Sequence, residues 1–142
     1  MTNTDNSLSS ARMRSVSLLI VAEIAAMSLW FVSAAILGDM AREANLSTGT
    51  QAAMSAAVQA GFVVGAILSA ILGLADRFEP RYVLSVFAFL AAISNALLLV
   101  VPPGSGQSIL LRGLTGTFLA GVYPVGMKIA VGWSQRLSLI HI

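Results

Sequence analysis

The sequence predicts an all-α membrane protein of four transmembrane helices, and three observations carry that reading. Hydrophobic residues make up 57% of the 142 and charged residues only 10%, against about 45–50% and about 25% in an ordinary soluble domain. The mean hydropathy is +0.87. Four continuous apolar runs, at about 15–37, 53–74, 82–101 and 108–131, each reach the roughly 20 residues that a helix needs to cross a hydrocarbon core of about 30 Å. A membrane barrel is excluded, because its strands would show about 10 residues of alternating polarity rather than an unbroken run. A soluble fold would also need polar side chains to cover its outside, and this chain has too few.

Residues 1–14, rich in Ser, Asn and Thr, read as a disordered cytoplasmic tail. Arg12 and Arg14 precede the first apolar run in the manner of a signal peptide. That run of about 23 residues exceeds an h-region of about 7–15, so it is expected to persist as helix one. Thr48-Gly-Thr-Gln51 has the spacing of a capping box and marks the start of helix two. Within helix two, small residues recur every fourth position at Ala53, Ala57, Gly61, Gly65, Ser69 and Gly73. Alanine and glycine are common in all membrane helices, but a row of this kind is a stripe along which another helix can approach closely. Pro102-Pro103-Gly104-Ser105-Gly106 is a turn that no helix crosses, so helices three and four are neighbours. With the N-terminus inside, Arg12, Arg14, Arg77, Arg81 and Arg136 fall on the inner side and only Arg42 on the outer. The N-terminus is therefore expected in the cytoplasm, and the setting is a plasma membrane such as a bacterial inner membrane.

Composition excludes several function classes. The net charge of +2 rests on 8 Lys+Arg against 6 Asp+Glu, which is no nucleic-acid footprint. The absence of cysteine removes disulfides, thiolate metal sites and cysteine nucleophiles. His141 is the single histidine, and no paired carboxylates stand within reach of one another, so there is no catalytic constellation. An enzyme, a cofactor and a metal are not expected.

Three ionisable side chains stand inside the predicted spans: Glu23, Arg112 and Lys128. Each costs about 2.5–3.5 kcal/mol near the bilayer centre, so each is expected to face protein or a water-filled cavity. Glu23 lies about 10 Å inside the inner boundary. Met27 and Trp30 share its face at spacings of four and seven, and together the three read as one wall of a substrate or proton site. Trp30 fits an outer aromatic belt equally well. Glu23 is the expected proton carrier, because burial and neighbouring charge both tune a carboxylate; its plainer role is to partner a cation. Arg112 and Lys128, sixteen positions apart, are about 160° apart around a straight helix and about 24 Å apart along it. They cannot face one site equally. Arg112 shares its face with Gly116, Leu119 and Tyr123, and Lys128 shares its own with Thr117, Gly121 and Pro124. Arg112 reads as a binding or coupling residue or as an anchor at the outer interface. Lys128 reads as a partner of Glu23 or as a side chain snorkelling to the inner headgroups. Two cations in one helix lean the expected solute toward an anion, and Pro124 is a candidate kink.

The loop after helix two runs Leu72-Gly-Leu-Ala-Asp-Arg-Phe-Glu-Pro-Arg81. Leu74-Ala-Asp-Arg77 followed by Arg81 resembles the loop between helices two and three of the major facilitator superfamily, Gly-x-Leu-Ala-Asp-Arg-x-Gly-Arg-Lys. It departs where Leu72 replaces the first glycine, with Gly73 one place late, and where Glu79 and Pro80 replace the later Gly-Arg. Arg112-Gly-Leu-Thr-Gly116, followed by Ala120-Gly-Val-Tyr-Pro-Val-Gly126, is similar to the family's fourth-helix pattern. The resemblance covers residues 15–136. It implies secondary active transport of a small solute by alternating access between two six-helix halves. It further implies proton coupling linked to Arg112, a central cavity lined by helices one and four, and a cytoplasmic charge latch of Asp76, Arg77 and Arg81. The implied partners are the lipid bilayer, a small solute, protons and further C-terminal helices of the same transporter, of which these four would be an N-terminal part. Leu137-Ser-Leu-Ile-His-Ile142 resembles the translation of a transposon end sequence used in preparing sequencing libraries, and is read as a non-native tail. The alternative is a small four-helix multidrug exporter acting as a dimer, with Glu23 as its proton and cation site. The motif loop, a long outer loop and the cations of helix four argue against it.

Overall fold

The computed structural model describes residues 3–138. Four long helices dominate it: α1 (Asn3–Glu43), α2 (Thr48–Leu72), α3 (Pro80–Ala96, continued by a 3-10 turn at Leu97–Leu99) and α4 (Gly106–Ser138). A single helical turn, Leu74–Arg77, joins α2 to α3. Among the described residues there is no strand, and all four long helices are long and apolar enough to cross a membrane. The chain is an all-α membrane protein.

Helix boundaries overrun the apolar runs because backbone hydrogen bonding does not stop at the hydrocarbon edge. α1 continues past Leu37 to Glu43, with Asp39 and Arg42 paired along its exposed side. Asn45 then adopts the left-handed conformation (φ 51°), and the Leu46 N–H donates back to the Ala41 carbonyl at 3.0 Å. Asn tolerates that conformation better than most residues and so closes the helix. The outer loop expected to be long is reduced to residues 44–47. In the other direction α1 runs back to Asn3, over residues expected as a disordered tail. Neither glycine nor proline occurs in residues 3–37 to stop it. Of the proposed non-native tail, residues 139–142 lie outside the described residues.

The capping box sits one residue earlier than the sequence predicts. Ser47, with extended backbone (φ −62°, ψ 154°), is the N-cap of α2, and its Oγ accepts the Thr50 N–H at 3.1 Å. Gln51 Nε2 reaches back to the Leu46 carbonyl at 3.0 Å. Two neighbouring hydroxyls compete for the role, and the one on non-helical backbone takes it. Gly73 ends α2 in the left-handed region (φ 60°), its N–H donating to Ser69 and Ala70 carbonyls. The last member of the small-residue row is thus a helix stop rather than a packing position. Pro80 occupies the first turn of α3, where its missing N–H costs nothing. Beyond Pro102 and Pro103, Ser105 caps the start of α4. Ser105 Oγ accepts the Ser108 N–H at 3.2 Å, and Ser108 Oγ donates to the Ser105 carbonyl at 2.8 Å.

α4 is the central helix, and the other three pack on it. Its seam with α2 is the tightest. A Cβ on Gly61 would stand 2.7 Å from the Gly113 carbonyl carbon, and one on Gly116 would stand 2.8 Å from that of Val58. Gly65 lies in the same way against Thr117 and Ala120. Glycine on both helices lets the backbones touch, which gains dispersion contact that lipid tails would not supply. The Thr117 hydroxyl is shared between the carbonyls of Gly61 and Gly113, each at 3.0 Å. Toward α3, Phe87 and Phe118 meet edge to face at 6.2 Å, and Gly121 leaves room for the Phe87 ring. Ala26, Ala91, Leu119 and Val122 are buried at the centre. α1 is peripheral: 6% of its most apolar stretch is buried, against 44% for α4. Ile71, Phe89 and Leu99 stand exposed on the outside, as suits a lipid surround that is as apolar as they are.

Candidate functional site

α1 and the second half of α4 enclose an open cavity of about 690 Å3. It runs along α1 from Leu19 to Ala35 and along α4 from Tyr123 to Ala130. Glu23, Met27 and Tyr123 all line it, so three of the expected site residues come together. Phe31 and Met127 add to an almost wholly apolar wall. Glu23 is the one charged side chain among the described residues lining the cavity. It is half-buried, and its Oε1 is buried with no hydrogen-bond partner. A Cβ on Gly126 would overlap the Glu23 carboxylate. The glycine therefore admits the acid against the backbone of α4, and a larger residue would push it out.

The other expected site residues lie elsewhere. Trp30 does not line the cavity; its ring meets Phe62 of α2 edge to face at 5.2 Å and joins the core. The face it shares with Glu23 passes at that height from the open cavity into the helix-helix contact. Arg112 is fully buried, neither a cavity residue nor an interface anchor. One terminal nitrogen donates to the Leu29 carbonyl at 3.2 Å and to Asn95 Oδ1 at 3.3 Å, and the other donates to the Trp30 carbonyl at 3.2 Å. Its Nε has no hydrogen-bond partner. The guanidinium binds α1, α3 and α4 together, using its fork of donors where a single ammonium could not reach all three acceptors. Asn95 is a residue that sequence reasoning missed. The available signal was an amide inside an apolar span, which lipid makes costly unless it is bonded.

Lys128 does not meet Glu23. Its Nζ donates to Asp76 Oδ1 at 2.5 Å, which ties α4 to the short turn between α2 and α3. That hydrogen bond and the lysine's charge hold the Asp76 carboxyl below its ordinary value of 3.8. Both side chains are largely exposed, at 81% for Asp76 and 49% for Lys128, so the pair is worth little as stability and is easily broken. Arg77 packs its side chain against Gly73, and Arg81 lies 3.7 Å from Glu79 in an exposed pair. Of the small-residue row, Gly61 and Gly65 face α4, Ser69 is half-buried and Gly73 is the α2 cap. Gly126 has a part that sequence reasoning did not foresee, because nothing in the order of residues tells which of 12 glycines meets a carboxylate.

Comparison with family models matches residues 18–138 to the Major Facilitator Superfamily. Comparison with curated proteins and with solved structures finds no match. The matched span takes in the cavity, the buried arginine, the loop holding Asp76, α1 from Leu18 onward and the whole of the other three spanning helices. The chain belongs to the major facilitator superfamily and is a membrane transporter of that kind.

Proposed function

We propose that the four helices serve proton-coupled secondary transport by alternating access, with the α1–α4 cavity as the solute site and Glu23 as the proton carrier. The observation that carries this reading is Glu23, a carboxylate beside an apolar cavity whose Oε1 is buried against α4 with no hydrogen-bond partner. An unsatisfied polar group costs free energy in such surroundings, and in a native structure it calls for a reason. A proton or a solute that arrives and leaves during a transport cycle supplies one. Each arrival removes the cost in one state and not the other, which is what biases a two-state equilibrium.

The surrounding structure supports this. α1 is the least enclosed helix, and the exposed Asp76–Lys128 pair can form in one state and open in another. The open side of the cavity suits closure by further helices of the same transporter. In this reading the N-terminus faces the cytoplasm of a plasma membrane. Arg112 and Lys128 no longer favour an anion, since both are bonded away from the cavity.

These 142 residues hold no cysteine, so Ser28→Cys in the transporter with any cysteine elsewhere replaced by serine places a single thiol beside the cavity. A membrane-impermeant maleimide is expected to label it from both faces of the membrane, in right-side-out and inverted vesicles, with a ratio that shifts with pH. Glu23→Gln is expected to abolish the shift. Labelling from one face alone at every pH would defeat alternating access here, and an unchanged pH response in the glutamine variant would defeat the proton role.

A further inference from the structure

We infer that Gly126 is a positioning residue for the proton step: its missing side chain leaves a notch in α4 that receives the Glu23 carboxyl in its protonated form, and so docks the N-terminal half of α1 on α4 while the proton is held. This rests on Glu23 being the proton carrier and goes further by naming the residue that sets when it is loaded and what the loading holds in place. A Cβ at position 126 would stand 3.2 Å from Glu23 Cγ and would overlap the carboxyl group beyond it. Gly126 is buried, and Glu23 Oε1 is buried with no hydrogen-bond partner. The notch differs from the other close contacts of glycine. Gly61, Gly65 and Gly116 meet backbone and Gly121 meets the Phe87 ring, so a methyl group there would force a helix or a ring aside. At Gly126 the obstacle is the end of a flexible side chain. Alanine would turn the acid out of the notch, toward the open side of the cavity, and leave the helix spacing as it is.

The neutral acid suits the notch and the carboxylate does not. An ionised group out of water needs hydrogen bonds or a neighbouring opposite charge, and the charges lie elsewhere. Tyr123, a phenol, is the other titratable group among the described residues lining the cavity. Lys128 stands about 200° round α4 from Gly126 and donates to Asp76. Arg112 lies about 21 Å toward the start of the same helix. Along α1 the nearest charge is Arg14, about 14 Å from Glu23. α2 carries no titratable side chain, and those of α3, Arg81 and Tyr82, stand in its first turn. α1 is held at a second point as well, where Arg112 donates to the carbonyls of Leu29 and Trp30, and that attachment needs no proton. Loss of the Glu23 proton therefore frees the N-terminal half of α1 while the arginine keeps the remainder in place.

The test is infrared difference spectroscopy of the full-length protein in lipid, following the C=O stretch of protonated carboxyls as pH is stepped. The band that disappears in Glu23→Gln belongs to Glu23. In Gly126→Ala its midpoint is expected about one pH unit toward acid, a tenfold loss of proton affinity. Gly132→Ala, on the same helix with open space at its Cβ, is expected to leave the midpoint in place. An unchanged midpoint in Gly126→Ala, or an equal shift in Gly132→Ala, would overturn the inference. A second measurement keeps both Glu23 and Gly126, so it stands even where the alanine variant misfolds. Spin labels at Leu18→Cys and Val131→Cys, exposed on α1 and α4, with any cysteine elsewhere replaced by serine, should move apart by several ångströms as pH rises through the parental midpoint. An unchanged separation would equally overturn the inference. If the Glu23 band titrates in the parent but ignores Gly126, the positioning role falls and the proton reading stands; if no band of Glu23 titrates, the proton reading falls and this inference with it.

Discussion

The α2–α4 seam allows a prediction with a built-in control. An alanine Cβ at position 61 would stand 2.7 Å from the Gly113 carbonyl carbon, where ordinary contact begins at 3.4 Å. The Gly113 carbonyl oxygen would lie nearer still, so the two helices must part by about 1 Å or more. The Thr117 hydroxyl, 3.0 Å from the Gly61 carbonyl, would be drawn to about 4 Å, outside hydrogen-bond range. Loss of an interhelical hydrogen bond in a membrane costs about 0.6 kcal/mol, and overpacking a close contact costs about 1–3 kcal/mol. Less the roughly 0.5–1 kcal/mol that alanine gains over glycine in any helix, Gly61→Ala is thus expected to destabilise the bundle by about 1–3 kcal/mol. Gly38, also helical, has open space where its Cβ would go. Gly38→Ala should stabilise by about 0.5–1 kcal/mol, through the smaller entropy loss of alanine alone. Unfolding of the detergent-solubilised protein by added SDS, followed by circular dichroism, reads both. If the two variants unfolded within about 0.5 kcal/mol of each other, the close-approach account of the seam would be refuted.

Arg112 and Asp76 yield two more expectations. Replacing both members of a buried polar pair by apolar side chains of similar volume is often nearly neutral, whereas a charge kept without its partners is costly. Arg112→Met combined with Asn95→Leu, which removes the guanidinium and its side-chain acceptor together, is therefore expected near parental stability, and Arg112→Lys about 2–3 kcal/mol below it; a lysine variant as stable as the double variant would show that the three acceptors do not matter. Asp76 titrates lower in the folded chain than its ordinary value of 3.8 because of Lys128. Its contribution is therefore complete above that value and is lost as pH falls through the lowered one. Melting curves of the parent and Asp76→Asn should differ by a small margin at neutral pH, as suits an exposed pair, and converge in acid; a gap that stayed constant into acid would contradict this.

How much of this was legible in the sequence depended on range. The four spans were plain from apolar run lengths, because lipid forces every backbone group to bond within its own helix. Boundaries were less so: the α1 end at Asn45 and the Ser47 cap rest on single-residue backbone conformations that hydropathy does not register. Glu23 was singled out because a carboxylate inside a span is rare, and Met27 followed from helical spacing; spacing put Tyr123 with Arg112, whereas Tyr123 lines the cavity and Arg112 is buried away from it. Spacing misled for Trp30, since one face of α1 serves the cavity at one height and the core at another. It misled for Lys128 as well, because the competition between Glu23 and Asp76 is settled by how α4 crosses the α2–α3 turn, a tertiary fact. Gly126 and Asn95 gained their parts only once separate helices were brought together.

The buried arginine has a consequence for how the protein is made. α4 is the least apolar of the spans, with a hydropathy of 1.3 against 2.0–2.1 for the other three, and entering lipid alone would expose its guanidinium to hydrocarbon. The atoms that receive Arg112, the carbonyls of Leu29 and Trp30 and the amide of Asn95, all precede it along the chain. A ribosome has already delivered α1 and α3 when Arg112 emerges, so the fourth helix meets a receptor built by the earlier ones. Its insertion is a docking event rather than a solitary partition into the bilayer.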